Sequence, residues 1–154
     1  MIEKTKKRMW LCITLLIVNI VFIWGNSLLP GEISGALSRW LKELLEGLFG
    51  QGSGGEGGHG LLRKAAHFTE FSCLGALLSW LLRMIRQRRW EYLLMPLCGG
   101  FLVACVDETI QCFVPDRGPG ILDVGIDTAG VLVGIFLFSV VYFFRKKEKL
   151  SSKE

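Results

Sequence analysis

The sequence predicts an all-α, multi-pass membrane protein of four transmembrane helices, with both termini in the cytoplasm and a short amphipathic helix in the first outer loop. Three observations lead there. Half of the 154 residues are hydrophobic (51%) and the mean hydropathy is positive, an unusual balance for a water-soluble chain long enough for one domain. Four apolar stretches, at about 9–29, 65–82, 92–113 and 123–144, each approach the ~20 residues a helix needs to cross hydrocarbon. Finally, 13 of the 18 Lys and Arg residues fall in three segments, before span one, between spans two and three and after span four, that four crossings place on one side, as cytoplasmic segments collect positive charge. Strands are a poor alternative, because an open sheet leaves backbone groups unpaired in lipid and no alternating barrel pattern is present.

Span one follows Lys4, Lys6, Lys7 and Arg8, and Trp10 and Trp24 bound it where interfacial aromatics belong. A basic start with an apolar middle also suits a secretory signal, but the length of the run favours a signal anchor. After it, Ile33, Leu37, Trp40, Leu41, Leu44, Leu45, Leu48 and Phe49 recur at three- and four-residue intervals between charged residues, the pattern of an amphipathic helix lying along the interface. Residues 50–60 are mostly glycine, a flexible linker to span two. Arg83, Arg86, Arg88 and Arg89 fill the loop between spans two and three. Pro115, Asp116, Arg117, Gly118, Pro119 and Gly120 make a tight turn before span four. Arg145, Lys146, Lys147, Lys149 and Lys153 follow span four. The formal net charge of +4 thus separates into +9 inside and −5 outside, so the basic balance is no sign of nucleic acid. The five cysteines show neither metal spacing nor a disulfide framework and read as small packing residues. The whole chain, 1–154, is one domain.

The chemistry concentrates at the outer ends of three spans. Arg63, His67 and Glu70 share a helical face in span two, with Lys64 beside it; Asp107, Glu108 and Gln111 form a stripe in span three; Asp123 and Asp127 lie one turn apart in span four. An ionised group at the centre of hydrocarbon costs roughly 2.5–3.5 kcal/mol on the mildest scale, so such groups normally face one another or water. Arg117, in the turn, is the candidate for gripping an anionic headgroup or carboxylate, because its planar fork suits bidentate contact. Its structural role would be a salt bridge within the turn. With Asp116 of the turn counted, six carboxyls against three cations leave the cluster too acidic for a simple phosphate pocket. A divalent cation bridging carboxylates to an anionic ligand would account for this. So would carboxyls that keep their protons, or carboxylates that face water. No cofactor is evident and no residue is assigned to a metal. Gly130 and Gly134 have the small-xxx-small spacing that lets helices approach closely, inside the bundle or in a homo-oligomer.

The blocks Arg63-Lys64-Ala65-Ala66-His67-Phe68-Thr69-Glu70-Phe71, Asp107-Glu108-Thr109-Ile110-Gln111, Phe113-Val114-Pro115-Asp116-Arg117 and Asp123 to Gly134, in that order, resemble the signature of the VanZ-like family of bacterial membrane proteins. The resemblance runs from about Trp24 to Gly134 and takes in a weaker pattern of Trp24, Ser27, Pro30 and Ser34. The family's namesake is an accessory factor for low-level teicoplanin resistance. The resemblance therefore implies a bacterial plasma-membrane protein with a cell-envelope role, without supplying a reaction. Three positions depart from the family pattern: Phe71 replaces a frequent Tyr, Asp127 a frequent Asn, and Asp116 interrupts a Pro-Gly-Arg turn.

The expected function is a non-enzymatic one, in which the outer site binds a cell-wall precursor, lipid headgroup or glycopeptide and contributes to glycopeptide resistance. A membrane enzyme acting on a lipid-linked or surface substrate, with His67 and a carboxylate as acid and base, is the alternative. No nucleophile triad, phosphate-binding glycine loop or strong metal motif supports it. A small transporter or assembly partner is the third class.

Overall fold

The computed structural model describes residues 2–33, 36, 58–85, 90–118 and 120–151. Four helices account for most of them: α1 (Ile2–Ser27), α2 (Gly58–Ile85), α3 (Glu91–Gln111) and α4 (Ile121–Ser151). All four are long and apolar enough to cross a membrane, and among the described residues there is no strand. The amphipathic segment expected after span one and most of the glycine linker fall outside the described residues. The last three linker residues, Gly58 to Gly60, belong to the first turn of α2. α1 and α4 likewise run beyond their apolar stretches into the basic flanks, where polar side chains tolerate a helix well; Lys7 and Glu3 pair there at 3.1 Å, one turn apart.

The bundle is built with its polar groups inside. Large apolar side chains such as Leu15, Val18, Phe22, Leu102, Phe136 and Leu137 point outward, whereas Ser27, Ser79, Asp107, Glu108, Gln111 and Asp127 are buried. Water would punish that arrangement and hydrocarbon favours it. The small core consists of Cys12, Leu16, Ile23, Phe71, Leu74, Ala104, Val131 and Ile135. Trp24 packs against this core instead of sitting free at an interface, while Trp10 is exposed. The cysteine expectation holds in the core for Cys12 alone, since Cys73, Cys98 and Cys112 lie on the outer surface of the bundle.

α2 and α4 form the most extensive contact, and small residues explain it. A Cβ at Gly134 would collide with the Ser72 carbonyl, and one at Gly130 would lie 2.6 Å from the Phe68 carbonyl oxygen. Gly75 meets the Val131 carbonyl in the same way from the other side. The Gly130 and Gly134 spacing is therefore used within the chain, where it brings the two backbones into contact. Two hydroxyls bond to their own helices, Ser72 to Phe68 O (2.7 Å) and Thr128 to Val124 O (2.7 Å).

The basic flanks converge at one end of the bundle. Arg8, Arg83, Arg145 and Lys146 line a cavity of about 840 Å³ there, together with Trp80, Phe138 and Tyr142. The Arg83 guanidinium lies 4.6 Å from the Tyr92 ring centroid and 4.4 Å from that of Tyr142. The polar stripes of α2, α3 and α4 occupy the opposite end.

Candidate functional site

At that opposite end each stripe turns inward. His67 of α2 lies between two carboxylates, with its Nδ1 3.8 Å from Asp107 Oδ2 of α3 and 3.9 Å from Asp127 Oδ1 of α4. Asp107 is 0% exposed and Asp127 1%. Gln111, one turn beyond Asp107, donates from Nε2 to Asp107 Oδ2 (2.9 Å) and to Ser27 Oγ of α1 (3.3 Å). The carboxylate is thereby held in place by a residue of its own helix, which is in turn tied to α1.

A small cavity of about 10 Å³, lined by Arg63, Lys64, His67, Glu108, Gln111, Asp123, Ile126 and Asp127, opens beside this triad. That is room for about one water molecule or bare ion. Its cations come from α2 and its carboxylates from α3 and α4. Lys64 and Asp123 pair across it at 3.2 Å, both partly exposed, so this ion pair is screened by solvent and contributes little to stability. Glu108 Oε2 accepts the Gly120 N–H (2.9 Å), which anchors the start of α4 beneath the turn and satisfies a backbone donor ahead of its first turn.

Of the ten polar residues expected to cluster, seven line the cavity: Arg63, Lys64, His67, Glu108, Gln111, Asp123 and Asp127. Asp107 sits directly behind His67. Glu70 and Arg117 do other work. Glu70 is turned toward α1, where its Oε1 accepts a hydrogen bond from Asn26 Nδ2 (2.8 Å). Arg117 reaches across the end of the bundle to the last turn of α1 and the chain after it, donating from Nη2 to Asn26 O (2.8 Å) and from Nε to Leu29 O (3.2 Å). Its fork is thus spent largely on backbone carbonyls, and Nη1 is buried without a hydrogen-bond partner among the described residues. Burial pushes the Arg117 guanidinium below its usual pKa, with Arg63 acting the same way and Asp107 and Glu108 opposing them.

The turn that carries Arg117 is pinned by a second contact. Gly31 N–H bonds to Pro115 O (3.2 Å), and a Cβ at Gly31 would collide with the Asp116 carbonyl. Asp116 has φ 59°, in the left-handed region that glycine adopts freely and aspartate tolerates. The backbone therefore accepts an aspartate in this turn.

The contribution of α1 was the least visible part of this site. Asn26 and Ser27 hold Glu70, Gln111 and, through the Asn26 carbonyl, Arg117. The available signals were the adjacent polar pair at the end of the span and the place of Ser27 in the weaker pattern after it. A family model described as VanZ/LLP1 matches residues 8–143. No curated protein and no solved structure matches the chain.

Proposed function

From the premise that the chain belongs to the VanZ/LLP1 family, which is consistent with a cell-envelope protein linked to glycopeptide resistance, we propose that the cavity end of the bundle faces the cell exterior. There it binds the anionic group of an envelope ligand: a cell-wall precursor, a lipid headgroup or a glycopeptide. The observation that carries the reading is a cluster of one imidazole and two carboxylates, buried inside an apolar bundle, that opens through a cavity bordered by Arg63 and Lys64. Buried ionisable groups in a membrane are costly enough that they normally mark a site. The 10 Å³ cavity is too small to swallow a headgroup, so the ligand docks at the mouth, with one oxyanion against the two cations. The opposite end carries Arg8, Arg83, Arg145 and Lys146, a distribution that supports placing the cavity end outside.

Sequestering the ligand at this surface lowers what an antibiotic can reach, and needs no turnover. Teicoplanin susceptibility and total membrane lipids are compared in cells making wild type, Arg63→Gln/Lys64→Gln or His67→Ala at matched protein levels. Reduced susceptibility that requires Arg63 and Lys64, with unchanged lipids, is expected. Equal susceptibility in all strains sinks the proposal.

The juxtaposition of His67 with two carboxylates favours one other reading, a membrane enzyme that modifies a lipid-linked substrate with His67 as acid or base. A lipid species that changes in cells with wild type, and reverts with His67→Ala, would replace binding with catalysis.

A further inference from the structure

We propose that His67, Asp107 and Asp127 bind one divalent transition-metal ion, of the zinc or manganese type, at the base of the cavity. The inference rests on the reading of this end of the bundle as a ligand site and adds what holds the ligand there. Three helices supply one ligand each, and a donor atom from every one of the three residues lies within 4.8 Å of the others.

The separations leave room for an ion. At 3.8 and 3.9 Å the imidazole is too far from either carboxylate for a hydrogen bond, which needs about 2.7–3.2 Å. Two metal–ligand bonds of about 2.1 Å at the tetrahedral angle span about 3.4 Å, so the ligands need to close by only about half an ångström around an ion. Two buried oxygens are also left without a hydrogen-bond partner, Asp107 Oδ1 and Asp127 Oδ2, on side chains that are 0% and 1% exposed. Orphaned acceptors at such depth are rare unless something unseen satisfies them. An imidazolium alone would set one positive charge against two carboxylates, whereas a dication balances both.

The surroundings fit the same conclusion. Metal-ligating carboxylates are themselves usually held by hydrogen bonds, and Gln111 holds Asp107 at 2.9 Å while anchored on Ser27. The adjoining 10 Å³ leaves room for one water or one ligand oxygen in the open position of a three-ligand site. One imidazole with two carboxylates suits zinc or manganese better than calcium, whose sites take six to eight oxygens. An oxyanion docked between Arg63 and Lys64 would lie next to that open position.

The test uses the full chain purified in detergent, stripped with a chelator, and incubated separately with Zn²⁺, Mn²⁺, Mg²⁺ or Ca²⁺ before free ions are removed and bound metal is counted by mass spectrometry. Wild type and Arg8→Gln, changed at the opposite end of the bundle, retain about one Zn²⁺ or Mn²⁺ per chain. His67→Gln and Asp127→Asn, which keep side-chain size, bind at least tenfold more weakly, and Gln111→Ala about 10–100-fold more weakly. As a readout that does not depend on variant folding, electron spin-echo spectra of Mn²⁺-loaded wild type show coupling to an imidazole nitrogen. Metal retained equally by wild type, His67→Gln and Asp127→Asn, no stoichiometric metal on wild type, or no nitrogen coupling overturns the proposal. The two readings separate cleanly: a metal-free protein that still binds the envelope ligand loses only the ion, while a metal-loaded protein that binds no such ligand loses only the proposed function.

Discussion

Replacing Gly134 by valine tests the seam on which the whole site hangs. The Cβ of any residue at 134 would run into the Ser72 carbonyl and crowd Ala76 N (2.9 Å). Both obstacles are backbone atoms of a helix, so no rotamer change relieves them, and α2 and α4 must separate along the region that packs Leu74, Val131 and Ile135. Opening a packed contact by 0.5–1 Å forfeits about a quarter to a half of its dispersion energy, and overpacking a well-filled interface costs about 1–3 kcal/mol. The site moves with the seam, because His67 stands on α2 one residue before Phe68, whose carbonyl Gly130 faces, and Asp127 stands on α4 one turn before Gly130. Gly125→Ala is the control: a Cβ there meets nothing within 4 Å, and the change gains up to about 1 kcal/mol of helix propensity. Thermal unfolding in detergent, followed by circular dichroism, should place Gly134→Val well below wild type and Gly125→Ala level with it or above. If Gly134→Val unfolds at the wild-type temperature but shifts the oligomeric state in size-exclusion chromatography, the seam reasoning is wrong and the glycines serve a contact between chains.

Three further outcomes follow from particular contacts. Arg83→Gln removes a guanidinium held between the rings of Tyr92 and Tyr142. Since a desolvated cation–π contact is worth about 2 kcal/mol, unfolding should occur earlier in denaturant titrations, whereas an unchanged midpoint would mean that the contact is solvent-screened. Arg117→Ala unties the turn from Leu29 and Asn26; with charged hydrogen bonds worth about 1.5–3 kcal/mol, amide exchange should accelerate around residues 26–31 and 114–118, and protection equal to wild type would refute the clamp. Asp116→Gly relieves a left-handed residue and should raise the unfolding temperature slightly, on the order of 1 kcal/mol in stability, less the backbone entropy that glycine adds to the unfolded chain. A clear loss of stability would show that the Asp116 side chain itself holds the turn.

Much of this was legible in the sequence for physical reasons. Hydrocarbon demands long apolar helices with their backbone bonds satisfied internally, so the four spans stand out in composition alone. The cost of charge in lipid likewise made the stripes on three spans converge, and the helical period placed Asp107 with Gln111 and Asp123 with Asp127 on common faces. The period gives a face but not its neighbour. His67 and Glu70 share a face of α2, yet one meets Asp107 and Asp127 while the other meets Asn26 of α1. Arg117 has the fork to grip a ligand, and the fold turns that fork onto carbonyls of a segment some ninety residues earlier, a pairing that no local pattern encodes. The part played by Asn26 was hidden for the same reason, and Ser27 stood out only in the weak pattern after span one: a small polar residue at the end of a span has no visible partner until tertiary contacts supply one.

The central claim, an anion-accepting mouth between Arg63 and Lys64 above a buried polar cluster, is tested most directly by the teicoplanin susceptibility of cells that make equal amounts of wild type, Arg63→Gln/Lys64→Gln, or Arg8→Gln at the opposite end. The account predicts protection by wild type and Arg8→Gln that disappears in the double variant. Protection by all three, or by none, would contradict it.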